Sequence, residues 1–180
     1  MKEAFQEYFK KLKEYADKEH GTLPIVPNFE EWDKSMLVGE EDEEGYIQWL
    51  PKEIDIDIDW ESLEQSFGFS IKEELKEFYT SYLFIDLRGK IDEMHIDFEE
   101  IINVDIIPQL IEVAYKDGGY YVPDQQMFML GGATLGGADD LVILYRNTDG
   151  KVICYDPDFE KQVELDRSLT EIIREMEPYR

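Results

Sequence analysis

The sequence predicts an α+β fold, on three observations. Helical periodicity dominates the first part of the chain, strand-like alternation dominates the last third, and a further helix closes it; this order is typical of α+β proteins and not of a regular βαβ repeat. The length of 180 residues is that of one ordinary domain. Apolar residues make up 43% and aromatic residues 13%, which is enough for one sizeable core. We therefore predict a single domain over residues 1–180.

An amphipathic helix is predicted at the start of the chain. From Lys2 to about His20 the apolar residues recur three and four apart, and Gly21 supplies a stop. Residues 21–45 contain prolines and many acids, so we expect a long connection, and connections of this length are usually functional or poorly ordered. Residues 46–49 then predict a short strand.

Two helices are expected next. Asp59 can cap a short helix over residues 60–67. Ser70 and Glu73 have the spacing of a capping box, in which each side chain accepts a hydrogen bond from the other residue's backbone N–H. We therefore predict a helix from this box to about Tyr82.

The middle of the chain predicts a hairpin and a third long helix. Residues 83–87 and 93–98 read as strands, with a turn at Gly89 between them. Residues 105–116 have helical spacing, and a proline in the first turn is tolerated there. The glycine pair 118–119 is expected to end this helix.

The last third predicts mainly strands, over residues 126–130, 141–146 and 151–156. The last two are joined by the sequence Asn-Thr-Asp-Gly at 147–150, whose asparagine and glycine tolerate the positive φ of a hairpin turn. Ser168 and Glu171 form a second capping box, which opens a final helix to about Glu177.

The charge of the chain limits its partners. The formal net charge is -25 and the isoelectric point is near 4.2. Such a chain repels DNA, RNA and anionic lipids, so nucleic-acid binding is disfavoured. Cys154 is the only cysteine, which excludes an intramolecular disulfide. The sequence contains neither a signal-peptide pattern nor an apolar run long enough to span a membrane, so a cytoplasmic location is expected.

Residues 30–61 are the most informative stretch, with thirteen acids against only Lys34 and Lys52. Charge runs are usually solvated surfaces. Aromatic residues are interleaved with these acids, whereas purely solvating segments contain few aromatics, so we favour a surface for a basic protein partner. The predicted partner-binding residues are Glu30, Glu31, Trp32, Asp33, Glu40, Glu41, Asp42, Glu43, Glu44, Trp49, Asp55, Asp57 and Asp59, with Asp139 and Asp140 as a second acidic group.

The tryptophans have two interpretations. Trp32 and Trp49 are candidate contact residues that would supply affinity beside the acids, because aromatic side chains dominate binding energy at many interfaces. Each of them is also consistent with the hydrophobic core, and for Trp60 the core is the favoured interpretation.

Two motifs resemble ligand-binding loops but lack residues or spacing that those loops require. The alternating acids Asp55, Asp57 and Asp59 resemble half of a calcium loop, but Trp60 and Ser66 stand where glycine and glutamate are needed. An extended segment with one wet face fits them better. The glycine-rich residues 131–137 lack the spacing of a phosphate-binding loop, so we predict a tight loop between strands.

The remaining reactive residues form no catalytic pattern. His20, His95 and Cys154 have no zinc-binding spacing, and Cys154 lies in an apolar strand pattern where a buried, inert thiol is usual. No serine lies in a nucleophile elbow. The sequence therefore favours a non-enzymatic binding protein with no cofactor and no metal.

Several segments carry a family resemblance. The sequences EHGTLP at 19–24, YIQWLP at 46–51 and LEQSFG at 63–68, the last leading into FYTSY at 78–82, resemble the Syd family of SecY-interacting proteins. In the second half, GGADD at 136–140 before a strand, the hairpin and the closing helix resemble the wider SUKH superfamily.

The resemblance implies a mostly antiparallel central sheet flanked by helices and no catalytic activity. It also implies an acidic concave face that binds the basic cytosolic loops of the SecY translocon, placing the protein peripherally at the inner face of the membrane and only indirectly in contact with it. The single-domain length and the high net charge predict a monomer. Other members of the superfamily are immunity proteins that neutralise toxins, often basic nucleases. Either partner would require an acidic surface on this protein. The glycine-rich residues 131–137 and the high acidity of residues 40–44 differ from the Syd pattern. The sequence therefore leaves open whether the partner is SecY or a toxin.

Overall fold

A seven-stranded antiparallel sheet forms the centre of the protein, as seen in a computed structural model that describes residues 1–136 and 138–179. The strands are β1 (Ile25–Pro27), β2 (Leu37–Val38), β3 (Tyr46–Trp49), β4 (Lys52–Glu53), β5 (Tyr82–Leu83), β6 (Leu87–Ile91), β7 (Met94–Phe98), β8 (Met127–Leu135), β9 (Ala138–Arg146), β10 (Lys151–Asp156), β11 (Lys161–Glu164) and β12 (Glu177–Pro178). The order in the main sheet is β11-β10-β9-β8-β7-β6-β12, with antiparallel pairing throughout.

Helices flank this sheet, and two smaller sheets extend it. The helices are α1 (Lys2–His20), α2 (Trp60–Phe67), α3 (Glu73–Ser81), α4 (Ile107–Tyr121) and α5 (Leu169–Glu175), with 3-10 turns at Lys34–Met36 and Val104–Ile106. The strand order β1-β3-β2 makes a three-stranded antiparallel sheet, and β4 pairs with β5. The predicted α+β class with an antiparallel central sheet flanked by helices is confirmed.

The core begins on the buried face of α1. Phe5 is fully buried and its ring packs against Phe78 on α3 and against Tyr82 and Phe84 beyond it, with centroid distances of 5.5 to 5.9 Å. Burying one such side chain contributes about 1.5–3 kcal/mol. This cluster extends from α1 through the main sheet to α5.

Strand β9 is buried on both faces. Successive side chains point to opposite faces of a strand. Ile143 and Tyr145 accordingly belong to the main core, while Val142 and Leu144 join a smaller cluster with Ile153 and other residues. The strand therefore reads as a continuous apolar run and not as an alternating one.

Most local predictions in regular elements are confirmed. Helix α1 ends at Gly21 in the left-handed conformation, Asp59 caps α2, and Ser168 forms its capping box with Glu171 at the start of α5. The Asn-Thr-Asp-Gly turn joins β9 to β10 as expected, with Lys151 opposite Arg146. These features depend on contacts between residues that are close in sequence.

The predicted ends of strands and helices at three glycine sites are wrong, because these glycines allow close packing. A Cβ on Gly118 would lie 2.3 Å from the Met127 carbonyl oxygen, so α4 lies directly against β8 and continues to Tyr121. Gly89 lies inside β6, where a Cβ would approach Met176 Cβ to 2.7 Å. The loop predicted over residues 131–137 is strand β8 as far as Leu135, and Gly137 lies outside the described residues.

Two further predictions need correction. Residues 21–45 were expected to be a long connection, but they contribute β1 and β2, which pair with β3. The capping box of Ser70 with Glu73 does not form: α3 begins after Lys72 without a side-chain cap. Asn147 bonds to the backbone of Ser70 and Lys72 instead, so a contact distant in sequence replaces the local one.

Candidate protein-binding surface

Residues 40–44, which we call the acidic loop, connect β2 to β3 and are all exposed. The Asp42 side chain organises this loop, since its Oδ1 accepts hydrogen bonds from the backbone N–H groups of Glu44 at 2.9 Å and Tyr46 at 2.8 Å. The backbone N–H of Asp42 also donates to the Tyr46 carbonyl at 2.8 Å. Asp42 therefore has a structural part in the loop, while its four acidic neighbours face solvent.

Asn28 joins a second acidic segment to the acidic loop. Its Nδ2 donates to Glu41 Oε2 at 2.7 Å, and its backbone N–H donates to the Gly45 carbonyl at 2.9 Å. Glu30 and Glu31 follow two and three residues later and are exposed. The fold thus brings these predicted acids to the same end of the three-stranded sheet as the acidic loop.

These acids are not neutralised by the protein itself. Within the described residues, Glu30, Glu31 and the acidic loop form no ion pair. Asp33 differs, because it lies 3.6 Å from Lys52 Nζ and accepts hydrogen bonds from Ser35, which lower its pKa. Like charges gathered without counterions oppose folding and attract a basic partner.

Trp32 and Trp49 lie in the core and not on this surface, and Trp60 is partly buried and packs against the core. Trp49 is 0% exposed and Trp32 is 6% exposed, so neither presents a face to a partner, and the core interpretation applies to both. A different aromatic residue, which was not among the predicted partner-binding residues, is exposed on this surface. Phe29 is 54% exposed and stands edge-on to Trp32 at 5.1 Å, directly before Glu30.

The acids of residues 55–59 lie on a segment without regular secondary structure, and the prediction that they face water is confirmed. Asp55, Asp57 and Asp59 are exposed, while Ile54 and Ile58 between and beside them are buried. Asp59 accepts a hydrogen bond from the Ser62 N–H at 3.0 Å and so caps α2. These acids are therefore separate in role from the acidic loop.

Asp55 lines a cleft that contains both basic and acidic residues, among them Lys2, Arg174, Glu3 and Glu77. Lys2 and Arg174 pair with Glu53 and Glu7, and Asp55 forms no ion pair within the described residues.

Asp139 and Asp140 lie in a different sheet from the acidic loop. Both belong to β9 of the seven-stranded sheet, close to its hairpin with β8. Asp140 is exposed and has φ 65°, a left-handed conformation that aspartate tolerates better than most residues. The Asp139 side chain lies outside the described part of the chain, and the second acidic group stays a prediction.

A further acidic group was missed in the sequence. Asp97 is the second-last residue of β7, Glu99 and Glu100 follow the strand, and Asp117 approaches from α4. Burial, followed by repulsion from Asp97 and Asp117, raises the pKa of Glu99, and burial followed by repulsion from Glu99 raises the pKa of Glu100. Asp97 near the end of a predicted strand and two acids directly after it were the available signal, but Asp117 joins them only through tertiary packing.

This missed group adjoins the predicted one. The backbone N–H of Asp33 donates to the Ile102 carbonyl at 3.0 Å. Ile102 is two residues from Glu100, a separation of at most about 7 Å along an extended chain. The acids at 30–33 and those at 97–100 therefore lie on neighbouring segments.

The remaining reactive side chains include Cys154 and His95. In residues 1–136 and 138–179, no group of three or more histidine, cysteine or acidic side chains could hold a metal ion. Cys154 is buried, and burial raises the pKa of its thiol, which opposes formation of a nucleophilic thiolate. His95 lies on β7 with its ring edge-on to Tyr179 at 4.4 Å. Over the same described residues, no helix has the length and apolarity needed to cross a membrane.

An α+β protein with a large antiparallel sheet and a surplus of unpaired surface carboxylates has the features of a protein-binding module. A comparison with family models identifies the family within this class: residues 2–110 match the family described as Syd protein (SUKH-2). The match covers more than half of the chain, and the protein belongs to this family. Members of the family are in general non-enzymatic proteins that bind other proteins. A comparison with curated proteins gave no match.

Proposed function

We propose that this protein binds a basic protein surface through the acidic loop and the adjoining Glu30 and Glu31, and that the partner is the set of basic cytosolic loops of the SecY translocon. The single observation that carries this proposal is the exposed, unpaired charge of these seven acids. Family membership supplies the class of function, and the SecY partner goes beyond it.

The acids and the exposed aromatic residues have different roles in binding. Unpaired surface acids raise the association rate and select the sign of the partner, because electrostatic attraction acts before contact. Phe29 and Tyr46 are exposed beside the acids and are the candidates for close contact. An exposed aromatic ring contributes mainly by lowering the dissociation rate, since it loses contact with water only in the complex.

The proposal includes the context of binding. The protein acts as a monomer built from a single domain over residues 1–180, without catalysis and without a cofactor. It is cytoplasmic and meets the inner face of the membrane only through its protein partner. The core that runs from α1 to α5 supports the single domain, because it includes residues from both ends of the chain.

A toxin-neutralising immunity protein is the second candidate. The same unpaired acids would fit a basic toxin domain, and the wider SUKH superfamily resembled by residues 136–150 includes immunity proteins. The two functions differ in partner and not in the chemistry of the surface.

Capture from the native cell separates these functions. The full chain is used as bait at low salt and the retained proteins are identified by mass spectrometry, with a charge-neutralised acidic-loop variant as the matched control bait. Enrichment of SecY on the wild-type bait alone supports the translocon proposal, and enrichment of a basic toxin supports the immunity function. Equal retention of every protein by both baits, or a partner without a basic surface, overturns the role of the acidic loop.

A further inference from the structure

A cavity of about 160 Å³ opens between α3, α4 and residues 99–101, which directly follow β7. Its walls are largely apolar and include Phe78, Leu110, Val113 and Leu130. A cavity of this size holds one small group, since about 150 Å³ accommodates a benzene ring. The cavity is therefore the size of a single side chain and not of a cofactor.

Three acidic residues line this cavity: Glu99, Glu100 and Asp117. Among the described residues none of the three forms an ion pair, although fourteen ion pairs occur elsewhere. Glu99 and Glu100 are exposed as whole residues, but the surrounding protein shields their carboxyl groups enough to raise both pKa values. Such an arrangement destabilises the empty protein and favours a cation.

Tyr79 lines the cavity beside these acids. Its side chain is 5% exposed, and its hydroxyl forms no hydrogen bond within the described residues. The hydroxyl is not one of the fully buried polar atoms that lack a partner, so it is accessible from the cavity and can accept a hydrogen bond from a cation there. Burial first, and the charge of Glu99 second, raise the pKa of Tyr79.

We propose that this cavity receives a lysine or arginine side chain of a basic protein partner, with the aliphatic stem against Leu110 and Val113 and the cationic head among Glu99, Glu100, Asp117 and the Tyr79 hydroxyl. An aliphatic chain ending in a cation matches the apolar wall and the acidic lining together. An anion would meet three carboxylates, and a neutral apolar group would leave them unpaired. A metal ion is disfavoured, since these carboxylates do not form a metal-holding group among the described residues.

This assignment rests on the proposed function for the source of the side chain, a basic protein. The Asp33 to Ile102 hydrogen bond brings the cavity's acidic segment next to that of Glu30 and Glu31. A partner steered by the exposed acids would thus meet, on the neighbouring segment, one site that buries a charged side chain. Burial is what distinguishes this contact from the others, because removing one partner of a desolvated charge pair weakens binding far more than removing an exposed charge.

The test uses small probes, so that it does not depend on the partner. Amide chemical shifts of the full chain are followed while Nα-acetyl-lysine amide, Nα-acetyl-arginine amide or the neutral Nα-acetyl-norleucine amide is added. We expect saturable shifts at Tyr79, Glu99 and Asp117 with the two cationic probes and not with norleucine. Equal shifts with norleucine, or no saturable shift with any probe, overturn the assignment.

Variants then locate the site. E99Q, E100Q and D117N together, and Y79F alone, should each weaken cationic-probe binding, the triple variant by roughly tenfold or more. E112Q, an exposed change on the same helix α4, is the matched control and should leave binding unchanged. Melting curves confirm that each variant is folded. If a basic partner captured from cells binds these variants as tightly as the wild type, the assignment of the cavity is wrong and the proposed function stands. If the cationic probes bind but no basic partner is captured, the proposed function is wrong and the assignment of the cavity stands.

Discussion

Asn147 holds the start of helix α3 at Lys72, a residue 75 positions earlier in the chain: its Oδ1 accepts a hydrogen bond from the Lys72 N–H at 2.8 Å. Its Nδ2 donates to the Ser70 carbonyl at 2.9 Å and contacts Gln126 Oε1 at 3.2 Å. At 4% exposure, Asn147 lies where water cannot replace these bonds. Asn147, which the sequence predicts as a hairpin-turn residue, therefore also holds the β9–β10 hairpin against the start of α3.

The first prediction follows from this contact. N147A should lower the free energy of unfolding, because it leaves buried backbone groups unsatisfied at about 1–3 kcal/mol each. Chemical denaturation measures the change. T148A, at the next and exposed position of the same turn, is the control and should have little effect. Equal stability of the two variants would show that the Asn147 bonds contribute nothing.

The second prediction compares two adjacent glycines of α4. A Cβ at Gly118 would lie 2.3 Å from the Met127 carbonyl oxygen, so G118A must push α4 away from β8 and should destabilise by about 1–3 kcal/mol or more. Gly119 has nothing within 4 Å of the same position, so G119A should stabilise by about 0.5–1 kcal/mol through helix propensity. Thermal unfolding measures both. Shifts of the same sign would contradict this packing.

The third prediction concerns the acidic loop. Replacing Glu40, Glu41, Asp42, Glu43 and Glu44 by Gln, Gln, Asn, Gln and Gln should slow association with a basic partner, by roughly tenfold at low salt, and flatten the salt dependence. The fold should persist, because asparagine at position 42 keeps the Oδ1 that accepts from Glu44 and Tyr46. Stopped-flow association over a salt series is the measurement. Unchanged rates would make the loop a solubilising segment only.

The fourth prediction separates surface from core among the aromatic residues. F29A should speed dissociation of the partner with little change in melting temperature, because Phe29 is mostly exposed. W32A should destabilise the protein by about 3–5 kcal/mol, because Trp32 is buried. Surface plasmon resonance and thermal melting distinguish the two. A folded W32A variant with normal stability would refute the core position of Trp32.

The fifth prediction concerns pH. Burial raises the pKa values of Asp97, Glu99 and Glu100 in the folded protein. Neighbouring acids add to the rise for Glu99 and Glu100, whereas Arg88 partly offsets it for Asp97. The folded state therefore binds protons more readily than the unfolded state, so these groups oppose folding at neutral pH. Their opposition falls as the pH drops through the raised values and is absent below the unfolded pKa of about 4.

A variant isolates this effect from the rest of the chain. E99Q should raise the melting temperature at pH 7–8, and its advantage over the wild type should vanish toward pH 4. The comparison is necessary because Asp33, Glu64 and Glu171 have lowered pKa values and lose their stabilising effect as the pH falls through those values. E112Q serves as the control. An E99Q advantage that grows on acidification would reverse the sign of this argument.

Local patterns were predicted where the responsible contacts are local. The bounds of α2, the strand β3 and the capping box at Ser168 depend on residues within a few positions of one another. Predictions failed at Gly89, Gly118 and the glycines of β8, where an absent Cβ lets another element approach. Nothing in the neighbouring sequence distinguishes such a glycine from one that ends an element.

The sequence by itself determined the α+β class, the excess of negative charge and the exposure of the acidic loop, because composition and short-range periodicity fix these properties. Only the tertiary structure decided that Trp32 and Trp49 are core residues, that Asn28 joins Glu41 to the segment before Glu30, and that Asp117 meets Glu99 beside Tyr79. The reason is physical: burial and charge coupling depend on distances in space, and the residues that set them here come from elements far apart in the chain.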